Sequence, residues 1–211
     1  MSKDDRMTPV FLSPSKRTIA VFGGGPVALR KCRHFKGFRI KVITEEALPE
    51  IEELAEILIK STISKNNAGQ FMDGAYMVIA ATSSKVLNGI IRDIAMERGI
   101  LVNSAHGGGD VLIPSTLRRG GFTVTVSSEG RAPAFPPYII NQIDNFLDGS
   151  YECMLDLLVN IRSKVMEQIP TQPKRAEFMA QIINDQGIWD MLSSGNVQGA
   201  MDKAMNEGGL K

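Results

Sequence analysis

Two side chains that can exchange protons, His106 and Asp110, flank three consecutive glycines in the stretch VNSAHGGGDVLIP, residues 102–114. A neutral imidazole accepts a proton near neutral pH, which makes His106 a candidate general base and Asp110 a second candidate. The glycines give the loop backbone freedom and could let a flat ligand approach the main chain. The alternative interpretation is a loop histidine that is hydrogen-bonded only to backbone.

Metal binding is the weaker interpretation of this loop. The other histidine, His34, lies on a predicted helix and has no partner at the spacing of metal ligands. We therefore predict no metal site and expect His34 to be structural or exposed. Cys32 and Cys153 are far apart in the sequence, which indicates reduced thiols that pack in the protein interior.

A glycine-rich turn gives a second chemical signal. Gly23, Gly25 and Ala28 match G-x-G-x-x-A between the apolar run TIAVF and a segment of helical composition. The first glycine allows a tight turn, the second lets a pyrophosphate approach, and the alanine permits close helix–strand packing. Backbone amides at the start of the helix would then face the phosphate. The sequence therefore predicts a dinucleotide site, comprising Gly23, Gly25, Pro26, Val27, Ala28, Glu45, Glu46, Ala81 and Thr82.

Two acids follow the next predicted strand, FRIKVIT. Glu45 lies 20 residues after Gly25, and Glu46 is its neighbour. A carboxylate at this distance accepts hydrogen bonds from ribose hydroxyls and repels the additional phosphate of NADP. This favours NAD as the cofactor. Two solvated loop glutamates remain the alternative.

The elements that must position these residues alternate between strand and helix. The segments RTIAVF and FRIKVIT enclose a helical segment, and AYMVIAAT and GILVNSA enclose the helical SKVLNGIIRDIAMERG. Repeated β-α-β units predict a parallel sheet. We expect an α/β fold with a Rossmann-type domain at residues 1–111.

The pattern changes from Val111 onward. A predicted strand, Phe122–Val126, is bounded by glycines, and a helical pattern follows to Leu147. Beyond Gly149, apolar residues recur at helical intervals, and Pro170 and Pro173 are expected to end that helix; the stripe consists of Met154, Leu157, Leu158, Ile161 and Val165. We predict a small α/β segment at residues 112–148 and a helical region at 149–211.

Composition limits the function classes. The chain has 211 residues, a formal net charge of +1 and 43% hydrophobic residues. It can bury a sizeable core, and its charge gives no electrostatic case for a nucleic-acid or membrane partner. No apolar run approaches the roughly 20 residues of a membrane span. We expect a cytoplasmic protein.

Four motifs occur in an order that is typical of one family: VFGGGPVALRK, MVIAATSSKVLN, ILVNSA and IPSTLRRGGFTVTVSSEGRAP. Over nearly all of residues 17–147 the chain resembles precorrin-2 dehydrogenases, including the dehydrogenase/ferrochelatase part of siroheme synthases. The resemblance implies NAD-dependent oxidation of precorrin-2 to sirohydrochlorin by an interlocked homodimer. Some members of the family also insert ferrous iron.

The resemblance also implies a substrate that bears many carboxylates. Arginine and lysine side chains bind such groups through charge-assisted hydrogen bonds, and Arg131 in SSEGRAP is the preferred anchor. Arg30, Lys31, Arg118 and Arg119 are further candidates. The predicted substrate-binding residues are Asn103, Ser127, Ser128 and Arg131.

The chain departs from the family in the loop after Asn103. Relatives carry Asn-Val-Val-Asp-Asp or a similar sequence there, and the first aspartate is the acid–base residue for dehydrogenation and chelation. In this chain His106 occupies that position, and the loop before Pro114 is two residues shorter. Imidazole can still take a proton, so we expect dehydrogenation to be retained, and chelation is an open question.

Two other functions fit the same residues. One is a non-catalytic NAD-binding module that senses redox state or scaffolds a tetrapyrrole pathway. The other is a chelatase or tetrapyrrole-binding protein that does not need NAD. Turnover of precorrin-2 with NAD distinguishes the first from an enzyme, and metal insertion without nucleotide identifies the second.

Overall fold

The computed structural model describes residues 7–207. The chain forms two compact units, of which the first ends at Ile113 and the second begins at Pro114. Within the described residues, no helix has the length and apolar character that crossing a membrane requires.

The first unit is built on a parallel five-stranded sheet in the order β3-β2-β1-β4-β5. This is the Rossmann order, so the predicted fold class is confirmed. The strands are β1 (Thr18–Phe22), β2 (Arg39–Thr44), β3 (Ile57–Lys60), β4 (Ala75–Ala80) and β5 (Leu101–Ser104). The helices are α1 (Pro26–His34), α2 (Pro49–Leu54), α3 (Ala68–Phe71) and α4 (Lys85–Glu97).

Strands β1 and β4 are almost entirely apolar because both faces of the sheet are covered. In β1, Ile19 and Val21 pack into the cluster that contains α1 and α2, whereas Ala20 and Phe22 pack into the cluster that contains α3 and α4. Cys32 of α1 belongs to the first cluster, and burial raises the pKa of its thiol to about 11. This thiol is a packing residue, as the sequence predicts.

Over the residues that the structure describes, the second unit consists of a hairpin and five helices. Its elements are β6 (Ser115–Arg119), β7 (Phe122–Val126), α5 (Phe135–Phe146), α6 (Gly149–Gln168), α7 (Gln172–Asn184), α8 (Gln186–Ser193) and α9 (Val197–Glu207). The strands β6 and β7 are antiparallel and Arg119 pairs with Phe122, which leaves Gly120 and Gly121 as a two-residue turn. The predicted strand Phe122–Val126 is confirmed, and its partner β6 is an addition.

The apolar stripe of α6 forms part of the core of the second unit. Met154, Leu157, Ile161 and Val165 are buried against α7, α8 and α9, and Leu158 packs at the edge of the same cluster. The expectation for Pro173 is wrong, because this residue lies in the first turn of α7. Proline is tolerated there since the first helical N–H groups have no partner within the helix.

Arg119 connects three elements of the second unit. Its Nε donates to the Asp144 carboxylate of α5 at 2.8 Å, and its Nη1 lies 3.6 Å from the Glu152 carboxylate of α6. Its guanidinium is therefore occupied by two carboxylates of its own unit. Of the basic residues that the sequence suggests as anchors, Arg119 is better explained as a structural ion pair.

Candidate functional site

An open cleft of about 550 Å³ lies where β1 and β4 end. In the strand order, β2 and β3 lie on one side of β1, and β4 and β5 lie on its other side, so the order reverses direction between β1 and β4. Ligands bind at such switch points, outside the carboxyl ends of the strands. Eight of the predicted cofactor residues line the cleft: Gly23, Gly25, Pro26, Val27, Glu45, Glu46, Ala81 and Thr82. Ala28 lies outside the lining and is buried in the contact between α1 and the sheet.

The first two residues of the glycine turn are held by close backbone packing. Gly23 has φ +120°, and a Cβ at this position would collide with the carbonyl oxygen of Ala81. A Cβ at Gly24 would collide with the carbonyl oxygen of Glu46 and would lie 2.8 Å from Thr44 Oγ1. The Gly24 carbonyl in turn accepts from the Leu48 N–H at 3.0 Å. Gly24 therefore joins the turn to the β2–α2 loop, a role that the motif alone does not reveal.

Gly25 is different, because a Cβ there would meet no atom within 4 Å. It caps α1 in an extended conformation (φ −91°, ψ −171°) without a side-chain hydrogen bond, and Pro26 follows in the first turn. The next backbone N–H groups of α1 thus face a cleft with room for a phosphate, as at other nucleotide-binding helix starts. The open space beside Gly25 is what a pyrophosphate needs.

The two glutamates follow β2 directly. Glu45 and Glu46 are both exposed and both line the cleft. The Thr44 hydroxyl donates to the Glu46 carbonyl at 2.7 Å, which fixes the backbone of this turn. The arrangement places two carboxylates at the cleft wall where the sequence predicts the ribose.

Asn88 of α4 is completely buried and binds Thr82, a residue that lines the cleft. Its Oδ1 accepts from the Thr82 N–H at 2.9 Å and from the Thr82 hydroxyl at 2.8 Å. Its Nδ2 donates to the Thr82 carbonyl at 2.9 Å. One side chain therefore fixes the turn after β4.

The same amide reaches the glycine loop that contains His106. Asn88 Nδ2 lies 2.9 Å from Nδ1 of His106, while the His106 backbone N–H donates to Ser104 Oγ at 3.3 Å. The imidazole is otherwise exposed. His106 is thus connected to the cleft wall through Asn88, in addition to its own backbone contact.

The three glycines form a turn with a defined backbone conformation. Gly107 and Gly108 have φ of +83° and +80°, and a Cβ at Gly109 would collide with the carbonyl oxygen of Val102. Beyond the turn, Asp110 is exposed and Val111 N–H returns to the Val102 carbonyl at 3.0 Å. The turn therefore depends on glycine at each position.

Asn103 is buried at the end of β5. Its Nδ2 donates to the Val111 carbonyl at 2.8 Å, and its Oδ1 has no hydrogen-bond partner within the described residues. The side chain therefore connects the two ends of the glycine loop. The structure thus gives Asn103 a structural contact, and its predicted contact with substrate stays a prediction.

The remaining predicted substrate residues come together after β7, in the second unit. Ser127 Oγ accepts from the Glu129 N–H at 3.0 Å, and Ser128 Oγ accepts from the Ala132 N–H at 3.1 Å. Arg131 donates from Nε to the Ser128 carbonyl at 3.2 Å and is exposed. The two serines shape a turn that presents the Arg131 guanidinium to solvent.

Among the other basic candidates, Arg30 and Arg118 are exposed. Lys31 lies on α1, where burial and, to a lesser extent, the charge of Arg30 lower its pKa to about 8. A lysine with this pKa is still mostly charged at neutral pH.

Sequence reasoning missed part of the cleft lining: Gly24, Thr44, Ser61, Thr62, Ile63, Ser83, Ser84 and Leu87. Ser61, Thr62 and Ile63 follow β3, and this strand was not predicted. The polar run STIS after ILIK is the signal that could have found them. Asn88 was missed because it falls within an otherwise ordinary amphipathic helix.

Comparisons with known proteins identify relatives of the chain. A family model for NAD(P)-binding domains matches residues 10–115. A precorrin-2 dehydrogenase of Methanosarcina barkeri is 30% identical over 201 residues, which cover 92% of this chain and 90% of the relative. A siroheme synthase of Photobacterium profundum is 27% identical over 202 residues. The match covers 94% of this chain but only 43% of that longer relative.

A solved structure has the same fold. SirC, a precorrin-2 dehydrogenase, superimposes with a TM-score of 0.76 at 22% identity, covering 95% of this chain and all of the SirC chain.

Proposed function

Because the chain belongs to the precorrin-2 dehydrogenase family, we propose that it oxidises precorrin-2 to sirohydrochlorin with NAD as the acceptor. The observation that carries this proposal is the cleft at the switch point, with open space beside Gly25 and two carboxylates after β2. The residues present therefore fit a dinucleotide. When bound, NAD supplies the hydride acceptor.

The protein contributes binding and orientation. The N–H groups at the start of α1 hold the pyrophosphate, and Glu45 and Glu46 accept from ribose hydroxyls. Pro26, Val27, Ala81 and Thr82 form the walls that fix the position of the cofactor. Holding both reactants in one geometry lowers the entropic part of the barrier.

The substrate loses a proton as well as a hydride. We assign its binding to Asn103, Ser127, Ser128 and Arg131, with Arg131 as an anchor for a carboxylate. His106 and Asp110 are the polar side chains of the loop that follows β5, and we assign them to the region of the macrocycle that reacts. Both are exposed and therefore accessible to a ligand.

The architecture that we propose has three parts. Residues 1–111 bind NAD, residues 112–148 form a dimerisation segment, and residues 149–211 form a helical domain. We further propose a cytoplasmic homodimer, and the exposed aromatic side chains of α5, which a partner chain would cover, support the dimer.

The test is an anaerobic incubation of the purified protein with precorrin-2 and NAD, in which absorbance follows both NADH and sirohydrochlorin. We expect both products. A second arm adds ferrous iron to the product and measures metal insertion, with and without NAD. Binding of NAD without turnover would identify a non-catalytic module, and iron insertion without oxidation would identify a chelatase that does not need NAD.

A further inference from the structure

We propose that Asn88 is a positioning residue that holds His106 in one tautomer, so that its imidazole offers a hydrogen-bond donor to the substrate. The substrate step rests on the proposed function, whereas the tautomer rests on contacts within the first unit alone. The role is different from that of the general base that the sequence predicts for His106.

The contacts with Thr82 fix the orientation of the Asn88 amide. A backbone N–H can only donate, so the atom 2.9 Å from the Thr82 N–H must be the amide oxygen. A carbonyl can only accept, so the atom 2.9 Å from the Thr82 carbonyl must be the amide nitrogen. Rotating the amide by half a turn would oppose two donors on one side and two acceptors on the other.

The fixed amide in turn decides which ring nitrogen of His106 carries the proton. The second N–H of the Asn88 amide is directed at His106 Nδ1, which lies 2.9 Å away and must accept. A neutral imidazole that accepts at Nδ1 carries its hydrogen on Nε2. Asn88 is completely buried, so the amide has little freedom to move away.

A chemical consequence follows for catalysis. In this tautomer the lone pair of His106 is engaged by Asn88, and the exposed side of the ring presents Nε2–H. A proton could be taken up only at Nδ1, where it would face the N–H of Asn88. An N–H at Nε2 suits a carboxylate of the substrate, and the proton that the macrocycle loses then goes to solvent while the hydride goes to NAD.

The tautomer can be measured without turnover. Nitrogen NMR of the labelled protein distinguishes a protonated from an unprotonated ring nitrogen, and only two histidines contribute. Signals that disappear in His106→Ala belong to His106. We expect Nδ1 to be unprotonated and Nε2 protonated in the neutral ring. The opposite assignment would overturn the proposal.

Asn88→Asp tests the positioning role. One carboxylate oxygen still accepts from the Thr82 N–H, and the other, which replaces the amide nitrogen, accepts from the imidazole, so the hydrogen should move to Nδ1 of His106. The second oxygen also lies against the Thr82 carbonyl, so the variant should be less stable. A residue that acted only as packing would leave the tautomer unchanged. If this variant does not fold, the measurement on the unmodified protein decides the matter.

The variant His106→Gln distinguishes a hydrogen-bond donor role of His106 from a general-base role. A glutamine amide donates a hydrogen bond but has no basic nitrogen, so it should retain most of kcat/KM in single-turnover oxidation. His106→Ala should lower kcat/KM by about 10- to 100-fold, as expected for a lost hydrogen bond to a charged group. His34→Gln is the matched control. Equal losses in the glutamine and alanine variants would rule out the donor role, whereas an inactive unmodified protein would refute the proposed function and leave the tautomer result standing.

Discussion

At the scale of residues, the glycine turn divides two tasks between neighbours that look alike in the sequence. Gly24 packs against the carbonyl of Glu46 and cannot accept a side chain, whereas Gly25 faces open space in the cleft. Gly24 therefore serves the fold, and we propose that Gly25 serves the ligand. This difference makes the two positions a matched pair for mutation.

Gly25→Val should leave the protein folded and lower its affinity for NAD by more than about tenfold, which corresponds to 1.4 kcal/mol. The reason is that valine adopts the extended backbone at this position and occupies the space of the pyrophosphate. Titration calorimetry measures the affinity and circular dichroism measures the fold. Unchanged binding in the folded variant would remove this site assignment.

Gly24→Ala should behave in the opposite way. Its Cβ would collide with backbone, so the free energy of unfolding should fall by about 1–3 kcal/mol, the usual cost of overpacking. Chemical denaturation checks this value. Full stability would show that the β2–α2 loop yields more easily than its contacts indicate.

We propose that the acids after β2 govern the choice of cofactor. Glu45→Gln and Glu46→Gln keep the size of the side chains and remove the charge that repels a 2′-phosphate. We expect at least one of these changes to raise the affinity for NADP with little effect on NAD, as measured by competitive titration. If neither variant nor the double variant gains affinity for NADP, the glutamates are solvated loop residues.

At the scale of elements, the start of α8 carries a charge pair that ties it to α9. The Asp185 carboxylate accepts from Lys203 Nζ at 2.6 Å and from the Ile188 N–H at 3.0 Å. The Lys203 ammonium, followed by the Ile188 N–H, lowers the pKa of Asp185 from its ordinary 3.8 to about 2. The ionised form is thus the form that the fold stabilises.

Because the folded pKa lies below the unfolded one, this contribution is fully present above about pH 4 and is lost as the pH falls toward 2. Asp185→Asn retains a helix cap but removes the charge. We expect a lower melting temperature than in the unmodified protein at neutral pH, and a difference that shrinks in acid. Asp156→Asn, an exposed change on α6, is the control. A difference that does not depend on pH would contradict the ion pair.

The sequence predicts the elements whose patterns are long or flanked by clear signals. Strands β1, β2, β4, β5 and β7 and the stripe of α6 are recovered, because apolar runs and helical periodicity persist over several residues. Strand β3 is missed because ILIK is short and follows an acidic helix. Strand β6 is missed because its sequence, STLRR, is mostly polar, and most of its residues are only partly buried.

The candidate site is predictable only in part for a similar reason. A motif identifies residues that are close in the chain, such as Gly23 and Gly25. Asn88 and His106 are 18 residues apart and belong to different elements, so their contact depends on how α4 packs on the sheet. Spacing could not reveal that the imidazole is already engaged.

At the scale of the whole molecule, the proposed homodimer can be tested on α5. Phe135 and Tyr138 are both 57% exposed and their rings stack 6.2 Å apart. A partner chain would cover this apolar surface, so Tyr138→Glu should shift the protein toward monomer in sedimentation velocity. Val159→Glu, on an exposed position of α6, is the control. An unmodified protein that is monomeric and active would contradict the dimer.

The central claim is tested most directly by measuring the ratio of NADH to sirohydrochlorin, and by measuring how the rate of their formation changes when the cleft is altered. Under anaerobic conditions with limiting precorrin-2, the protein should form one equivalent of NADH for each equivalent of sirohydrochlorin, because the hydride leaves the macrocycle for NAD. At an NAD concentration below the Kd of the unmodified protein, the folded Gly25→Val variant should form both products at least about tenfold more slowly. Sirohydrochlorin without NADH, or equal turnover in the variant, would contradict the assignment of this cleft as the site of NAD-dependent oxidation.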